Sequence, residues 1–338
     1  MESLKDKKIL IIGGAGFIGH NMAITLAGLG AKVAVIDGLQ VNNLLSFAAL
    51  DPSNKNQELY YDILNQRLQL LFKAGVGLEV ADARDYAVLS HLFTKIRPNI
   101  VIQLAAVSHA GKSNKDPFST FDHSLRTLEN ALDCSRDYVE RFIFFSSSMV
   151  YGHFTEETVT EDTHCEPLGI YGALKFSGEK LVIAYNQVFN LPYTIIRPSA
   201  LYGERCVSRR VLQIFAENSL RNEEITIHGD GNDRLDFTYI DDMINGVVKV
   251  LTSKKAVNEI FNITYGQGRS MAEVVDIIRK QFPDARVNYT PKDNLTPDRG
   301  TLSIDKAKRL IGYEPAFPIE IGLPKYIDWY RDAMKKHF

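Results

Sequence analysis

Short apolar runs alternate along the chain with longer stretches in which apolar residues recur every three or four positions. The runs that predict buried strands are 8–12, 31–37, 78–80, 100–104, 141–145 and 193–198. The stretches with helical spacing are 21–29, 57–72, 86–95, 117–138, 171–189 and, near the end, 323–335. Because apolar strands that alternate with helices are typical of parallel sheets covered on both faces, we expect an α/β fold with a doubly wound, mostly parallel sheet.

Glycines follow the first predicted strand at a spacing of three. Gly13, Gly16 and Gly19 stand where the strand ends and a helical pattern begins. A turn of this kind lets backbone N–H groups and the positive end of a helix face a pyrophosphate at close range. The alternative is a glycine-rich turn that binds nothing, and the residues that follow must decide between the two.

An acidic residue, Asp37, ends the second predicted strand. It follows the last glycine at close to the ~20 residues expected for a carboxylate that binds the adenosine ribose of a dinucleotide. Such a carboxylate accepts hydrogen bonds from free ribose hydroxyls and repels a 2′-phosphate, so Asp37 favours NAD over NADP. The alternative is an acidic loop residue at a strand end.

A tyrosine and a lysine stand four residues apart in a later helical stretch, at Tyr171 and Lys175. Residues at this spacing share one face of a helix. A free phenol has a pKa of about 10, and a nearby ammonium group lowers it toward the range of a useful base. The pair follows a strand that ends in Ser146, Ser147 and Ser148, whose hydroxyls are suited to bind a reacting hydroxyl group.

Composition excludes several other functions. The chain of 338 residues is 45% hydrophobic with a formal net charge of −2, which provides no basic surface for nucleic acid or an anionic membrane. We expect no signal peptide, and no apolar run is long enough to span a bilayer. Cys134, Cys165 and Cys206 lie far apart, which predicts buried free thiols, a cytoplasmic location and no metal site.

Motifs spread over almost the whole chain carry a family resemblance. They are 13–19, Asp37, Asp82, 104–106, 146–152, 171–175, 197–198 with 201–203, 229–231, 236–242 and 305–315. Together they resemble the extended short-chain dehydrogenase/reductase superfamily, in its NAD-dependent nucleotide-sugar epimerase/dehydratase branch. The resemblance implies a Rossmann-type NAD-binding domain at 1–197 and a smaller α/β nucleotide-sugar domain at 198–338, with part of 229–262 returning to the first domain.

The resemblance also implies a role for individual residues. It makes Ser147 the catalytic serine, with Ser148 as the alternative, Tyr171 the base and Lys175 the cofactor clamp. The cofactor-binding residues are Gly13, Gly16, Phe17, Ile18, Gly19, Asp37, Asp82, Ala83, Leu104, Ala105, Ala106, Tyr171 and Lys175. The substrate-binding residues are Ser108, Ser147, Ser148, Tyr171, Ser199, Ala200, Arg210, Arg234 and Arg299.

Two positions narrow the set of reactions that the chain is expected to catalyse within this branch. Sugar 4,6-dehydratases of the branch carry an Asp-Glu pair directly after the catalytic Ser/Thr, where this chain has Ser148 and Met149. We therefore expect C4 epimerisation of a UDP-sugar through a 4-keto intermediate, with hexose and hexuronate both open. The alternatives are a reductase, a decarboxylase or a dehydratase on the same scaffold, and a non-catalytic NAD-binding sensor.

Some positions depart from the family or stay unassigned. Leu235 stands where relatives commonly have arginine, with Arg234 one residue earlier, and Ala200 replaces their Asn or Thr. Residues 59–71 resemble a segment of UDP-hexuronate 4-epimerases, or else form a surface helix with an apolar stripe. The resemblance further implies a homodimer through helices at 117–138 and 171–189, while the role of the long connection 42–77 stays open.

Overall fold

The main elements of the fold are strands followed by helices. The computed structural model describes residues 2–40, 44, 47, 55–107, 110–292 and 295–335. Its strands are β1 (Lys8–Ile12), β2 (Lys32–Asp37), β3 (Gly77–Val80), β4 (Ile100–Gln103), β5 (Arg141–Phe145), β6 (Thr158–Val159), β7 (Tyr193–Arg197), β8 (Leu201–Tyr202), β9 (Ile225–His228), β10 (Arg234–Asp236), β11 (Thr238–Tyr239), β12 (Glu259–Asn262), β13 (Gly268–Ser270), β14 (Val287–Thr290) and β15 (Thr301–Leu302).

The helices lie between these strands. They are α1 (Phe17–Gly28), α2 (Gln57–Lys73), α3 (Tyr86–Ile96), α4 (Ala110–Lys115), α5 (Pro117–Phe121), α6 (Thr127–Ser135), α7 (Gly169–Phe189), α8 (Val211–Leu220), α9 (Ile240–Thr252), α10 (Met271–Arg279), α11 (Asp305–Ile311) and α12 (Ile319–Met334). A π-helical turn spans Asp122–Arg126, and 3₁₀ turns span Ser148–Tyr151 and Lys254–Ala256.

Seven strands form one sheet in the order β12-β7-β5-β4-β1-β2-β3. Every pair of neighbours in it is parallel. The chain moves outward from β1 in one direction through β2 and β3, and in the other through β4, β5 and β7. Where the strand order reverses in this way, a crevice forms at the carboxyl ends of the central strands. The predicted doubly wound α/β fold is confirmed.

Side chains of the central strand pack into cores on both faces of this sheet. Ile9 and Ile11 join one buried cluster with residues of α1, α2 and α9. Leu10 and Ile12 join the other, with residues of α3, α6 and α7. All four are fully buried, as expected for alternate positions of a strand with helices on both sides. This packing fixes the helices that frame the crevice.

The predicted helix over 117–138 is present from Pro117 to Ser135, but it contains a π-helical turn and ends three residues early. The structure contains α5, the π-helical turn and α6, and α6 ends at Ser135. The Thr127 hydroxyl donates to the carbonyls of His123 at 2.9 Å and Ser124 at 3.2 Å. A threonine hydroxyl that binds the preceding turn competes with the regular backbone ladder and bends a helix. Side-chain bonding of this kind is invisible to apolar periodicity.

Two-stranded sheets lie mostly in the part of the chain after β7. They pair β8 with β11, β9 with β14, β10 with β13, and β6 with β15. Strand β12 pairs with β7, so residues 259–262 join the large sheet. The domain limits stay a prediction. No helix in the described parts of the chain is both long and apolar enough to cross a membrane.

Candidate active site

A cleft of about 470 Å³ lies at the carboxyl ends of the central strands. Every predicted cofactor residue lines it, from the glycine turn to Lys175. Of the predicted substrate residues, Ser147, Ser148, Tyr171, Ser199, Ala200, Arg210 and Arg299 line it as well. Ser108 lies outside the described residues, and Arg234 lies away from the cleft.

The glycine turn approaches neighbouring backbone too closely for other residues. Gly13 has φ +83°, and a Cβ atom there would lie 2.7 Å from the Ala105 backbone nitrogen. A Cβ on Gly19 would lie 2.5 Å from the Cα of Gly14. Helix α1 begins at Phe17, earlier than the apolar pattern indicated, with Gly16 as its N-cap. The first backbone N–H groups of α1 therefore face the cleft, where an anion is stabilised.

Asp37 is held in place by the turn itself. Its Oδ2 accepts the Ala15 N–H at 2.9 Å and its Oδ1 accepts the Leu39 N–H at 2.8 Å. Burial raises the pKa of Asp37, while these two backbone N–H groups lower it. Each carboxylate oxygen retains a lone pair for a further donor, so the residue has the chemistry needed to accept ribose hydroxyls.

Asp82 belongs to a small polar network that the sequence did not indicate. Arg84 donates to both of its carboxylate oxygens at 2.6–3.0 Å, and Gln40 Nε2 donates to Oδ2 at 3.0 Å. The hydrogen bonds from Arg84 hold the pKa of Asp82 well below its ordinary value. The network keeps Asp82 ionised and oriented at one end of the cleft, where Gln40 also lines the wall.

The three consecutive serines have different surroundings. The Ser146 hydroxyl donates to the Glu179 carboxylate at 2.5 Å. The Ser147 oxygen accepts the Met149 N–H at 3.2 Å and caps the 3₁₀ turn, an arrangement that leaves its own proton to be donated. The Ser148 N–H donates to the Pro198 carbonyl at 2.9 Å, which ties the turn to the segment after β7. All three serines line the cleft.

Tyr171 and Lys175 project from the first turns of α7. The Lys175 Nζ donates to the Phe145 carbonyl, at the end of β5, at 2.7 Å and lies 6.0 Å from the Tyr171 ring centroid. Lys175 is only 7% exposed. Burial lowers the pKa of its ammonium to about 8, although Glu179 opposes this shift. A cation is therefore held at fixed geometry beside the phenol.

A buried ion pair supports this part of the site from behind. Arg197 Nε and Nη2 donate to the two carboxylate oxygens of Glu179 at 2.9 and 2.7 Å. Both side chains are almost completely buried, and the pair joins the end of β7 to α7. Because Glu179 also accepts from Ser146, the ion pair fixes the orientation of α7 relative to the serine turn.

The far end of the cleft is cationic. Arg209, Arg210 and Arg299 line it, and burial, with Arg210 nearby, lowers the pKa of Arg299 to about 10. Arg299 Nε is buried without a hydrogen-bond partner in the described structure. A buried, unsatisfied guanidinium nitrogen beside a second cation is suited to bind an anion such as a diphosphate.

The side chains of Arg234 and Arg205 bind partners elsewhere. Arg234 donates to the Gly268 carbonyl at 2.8 Å and faces Glu273 at 3.4 Å. Arg205 Nε donates to His20 Nε2 at 3.2 Å. In place of Arg234, its neighbour Leu235 lines the cleft. The alternation of side chains along the short strand β10 places adjacent residues on opposite sides.

Several lining residues have no counterpart in the sequence prediction. They are Gln40, Thr127, Ser208, Val211 and Leu235. His123, whose pKa is lowered by burial and by Arg84, also lines the cleft. His123 precedes Thr127 by four residues in a helical stretch, and residues at that spacing share one face. This spacing is the feature of the sequence that could have placed both side chains on the same wall.

A family model places the chain among known proteins. The NAD dependent epimerase/dehydratase family matches residues 9–264. The chain belongs to this family. The predicted resemblance is therefore confirmed at the level of the family. The three cysteines are free, as predicted, but only Cys206 is buried, whereas Cys134 and Cys165 are partly exposed.

Individual relatives of this NAD-dependent family include both reaction types. An uncharacterized UDP-glucose epimerase of Bacillus subtilis, YtcB, is 29% identical, with 95% of this chain and 96% of the relative covered. A dTDP-glucose 4,6-dehydratase of Neisseria gonorrhoeae is 27% identical over 98% of each chain. The crystal structure of UDP-glucuronic acid 4-epimerase from Bacillus cereus, in complex with UDP-glucuronic acid and NAD, has a TM-score of 0.84 at 27% identity, with 98% of this chain and 99% of that chain covered.

The cofactor of the family is NAD, and the cleft fits it. The Gly13–Gly19 turn leaves the space that a pyrophosphate needs beside the N-terminus of α1. Asp37 lines the same cleft with oxygens that can accept from an adenosine ribose. The small residues Ala105 and Ala106 at the end of β4 leave room for a planar group next to the backbone.

Proposed function

We propose that this NAD-dependent enzyme inverts C4 of a UDP-hexose or UDP-hexuronate through a 4-keto intermediate. The observation that carries the proposal is that Ser147, Tyr171 and Lys175 line the same cleft as the glycine turn and Asp37. The Bacillus cereus relative was crystallised with a UDP-sugar and NAD, and the far end of the cleft in this chain is suited to a diphosphate.

In this proposal Tyr171 acts as the base. Its phenolate accepts the proton of the sugar 4-hydroxyl, and the Lys175 ammonium beside it stabilises the negative charge. The Ser147 hydroxyl, whose oxygen is oriented by the Met149 N–H, holds the reacting oxygen in place. NAD, when bound, supplies the hydride acceptor for the sugar carbon and the donor that restores it.

Inversion requires the keto sugar to present its other face while the nucleotide stays bound. We propose that Arg210 and Arg299 hold the diphosphate during this step, because both line the cleft at its cationic end. Tyr171 then returns the proton to the new hydroxyl. Arg234 has no part in the proposal, since its guanidinium faces Gly268 and Glu273.

Dehydration fits the site less well. The side chains that follow Ser147 on the cleft wall belong to Ser148 and Met149. Neither carries the carboxyl group that elimination of water across C5 and C6 needs as acid and base. The similarity to the Neisseria gonorrhoeae dehydratase therefore reflects the shared scaffold in this proposal.

The deciding experiment is incubation with UDP-, GDP-, CDP- and dTDP-sugars, with product stereochemistry determined by NMR. We expect a C4 epimer of a UDP-sugar, with neither net NADH nor CO₂ released. Steady NADH production or consumption would indicate a reductase, CO₂ release a decarboxylase, and a 4-keto-6-deoxy product a dehydratase. Any of these three results would overturn the epimerase assignment.

We also propose that the protein is a homodimer formed through α5, α6 and α7. Exposed apolar side chains on α5 and α7, among them Phe118 and Val188, support a covered surface there. Sedimentation equilibrium would give the mass of the species in solution. A Val188→Glu variant should shift it toward the monomer, and a wild-type protein that sediments as a monomer would contradict the proposal.

A further inference from the structure

The segment Arg205–Arg210, here termed the arginine segment, carries cations to the cleft on an unusual backbone. Arg209 and Arg210 line the cleft. Arg205 and Arg209 have φ values of 64° and 49°, in the left-handed region that residues other than glycine seldom adopt. Such conformations cost free energy and persist only where the surrounding structure holds them. The contacts of this segment therefore need an explanation.

Helix α2 holds one end of the arginine segment. Arg67 is 1% exposed, which is exceptional for a guanidinium. Its Nε donates to the Arg205 carbonyl at 2.9 Å, and its Nη2 donates to the same oxygen. Burying this cation is unfavourable by itself. The guanidinium nevertheless lies in the interior, where it binds the backbone carbonyl of Arg205, a residue with a strained conformation.

The same helix holds the other end through α8. The Arg209 N–H donates to Gln213 Oε1 at 2.8 Å. Gln213 Nε2 donates to the Tyr60 hydroxyl at 3.0 Å, and that hydroxyl donates to Glu217 at 2.6 Å. The orientation of the Gln213 amide is thereby set. An amide nitrogen can only donate, so the Gln213 oxygen must be the atom that accepts the Arg209 N–H.

A third contact joins the arginine segment to the cofactor end of the cleft. Arg205 Nε donates to His20 Nε2 at 3.2 Å, and His20 Nδ1 lies 2.9 Å from the Gly16 carbonyl. Both bonds form when His20 is neutral with its proton on Nδ1. The segment is thus fixed relative to the glycine turn as well as to α2.

We propose that α2 is a positioning element for the nucleotide sugar, in which Arg67 and Tyr60 hold the arginine segment so that Arg209 and Arg210 meet its phosphates. Arg67 and Tyr60 are positioning residues, since they act through the segment and line no part of the cleft. The identity of the ligand rests on the proposed function. The longer connection after β2 thereby acquires a role in substrate binding.

The test uses Arg67→Met in the NAD-loaded protein, with UDP binding measured by calorimetry. Methionine fills a similar volume but makes neither bond to the Arg205 carbonyl. If the segment then adopts its binding conformation only about a tenth of the time, UDP affinity falls about ten-fold. KM for the sugar substrate should rise by a similar factor with a smaller change in kcat, because Tyr171 and Lys175 are untouched.

Two matched variants separate positioning from general loss of structure. Arg67→Lys keeps the charge and one donor, so it should recover part of the affinity. Arg279→Met removes an exposed arginine on α10 that pairs only weakly with Asp276, at 3.8 Å, and should bind UDP like the wild type. Tyr60→Phe removes a single hydroxyl from the other anchor and should weaken UDP binding in the same direction.

A double-mutant comparison tests whether the effect passes through the segment. In an Arg209→Ala/Arg210→Ala background the segment no longer brings a cation to the cleft, so adding Arg67→Met should change UDP affinity by less than about two-fold. An undiminished effect in that background would overturn the proposal. UDP affinity of Arg67→Met within about two-fold of the wild type would also overturn it.

Hydrogen exchange of the amides at 205–210 gives a reading that needs no ligand. We expect faster exchange there in Arg67→Met, with α7 unchanged, and equal exchange in both proteins would contradict a positioning role. If the wild type bound no UDP or nucleotide sugar, the proposed function would fail. Faster exchange in the variant would then still establish that α2 holds the arginine segment.

Discussion

Replacing Lys175 by methionine is expected to change how the stability of the protein depends on pH. The ammonium group is buried, donates to the Phe145 carbonyl at 2.7 Å, and has its pKa lowered by burial from 10.5 to about 8. Between these two values the unfolded chain binds a proton that the folded protein does not. The free energy of unfolding of the wild type therefore rises with pH across this window.

The magnitude follows from the width of the window. Each pH unit contributes ~1.4 kcal/mol, which amounts to ~3 kcal/mol between pH 8 and 10.5. Below pH 8 the lysine is charged in both states, and above pH 10.5 it is neutral in both, so this contribution is constant outside the window. In the Lys175→Met variant the contribution is absent at every pH.

The assay is urea unfolding of both proteins at intervals from pH 7 to 10.5, at equal NAD saturation. Tyrosines and thiols also titrate there, and subtracting the variant from the wild type removes their contribution. Lys180→Met, an exposed position on the same helix, serves as the control and should give a difference that is flat with pH. A flat difference for Lys175→Met would refute the argument that this ammonium is buried at a cost.

Other variants test the base, the turn and the ion pair. Tyr171→Phe should lower kcat by roughly 10²–10⁴-fold with NAD still bound, measured by NMR turnover and cofactor content. Gly13→Ala places a Cβ atom 2.7 Å from the Ala105 nitrogen at φ +83°, and should reduce NAD content and destabilise the fold by ~1–3 kcal/mol. Glu179→Gln leaves the Arg197 guanidinium buried without its counter-charge, and should cost ~3–5 kcal/mol in urea unfolding.

For each of these three predictions, a control variant or a measured result can contradict the expected outcome. Full turnover by Tyr171→Phe would exclude the phenol as base. Gly28→Ala, where a Cβ atom meets nothing within 4 Å, should not destabilise, and a wild-type NAD content in Gly13→Ala would contradict the close-approach argument. Asp276→Asn, in an exposed pair, should cost under ~1 kcal/mol, and an equally small loss for Glu179→Gln would show that the buried pair is dispensable.

Local features of the sequence were sufficient for the sheet and the cofactor end of the cleft. The apolar run 8–12 is long enough for one strand, and alternate side chains must find a core on each face. The glycine spacing that follows needs only backbone geometry and the start of a helix. Asp37 at the end of β2 is placed by the parallel register of β1 and β2. Each of these inferences depends on neighbours along the chain or on the adjacent strand.

The surroundings that distinguish chemically similar side chains were decided by tertiary contacts. Ser146 and Ser147 are chemically alike, and only the position of Glu179 on α7 distinguishes the anchored hydroxyl from the one whose proton is free to be donated. Arg234 and Arg210 are equally plausible phosphate ligands in the sequence. Gly268 and Glu273, brought near by the pairing of β10 with β13, hold Arg234 away from the cleft.

The helix over 57–72 shows most clearly that a sequence pattern does not reveal the tertiary partner of a side chain. Its existence and bounds followed from periodicity, but its apolar stripe is equally typical of a surface helix. Arg67 interrupts no pattern and carries a charge, so the sequence gives no reason to bury it. In the structure it is buried and donates to the Arg205 carbonyl, 138 residues further along the chain. Periodicity reports which face of an element is buried, whereas the partner of a buried polar group depends on how distant elements pack.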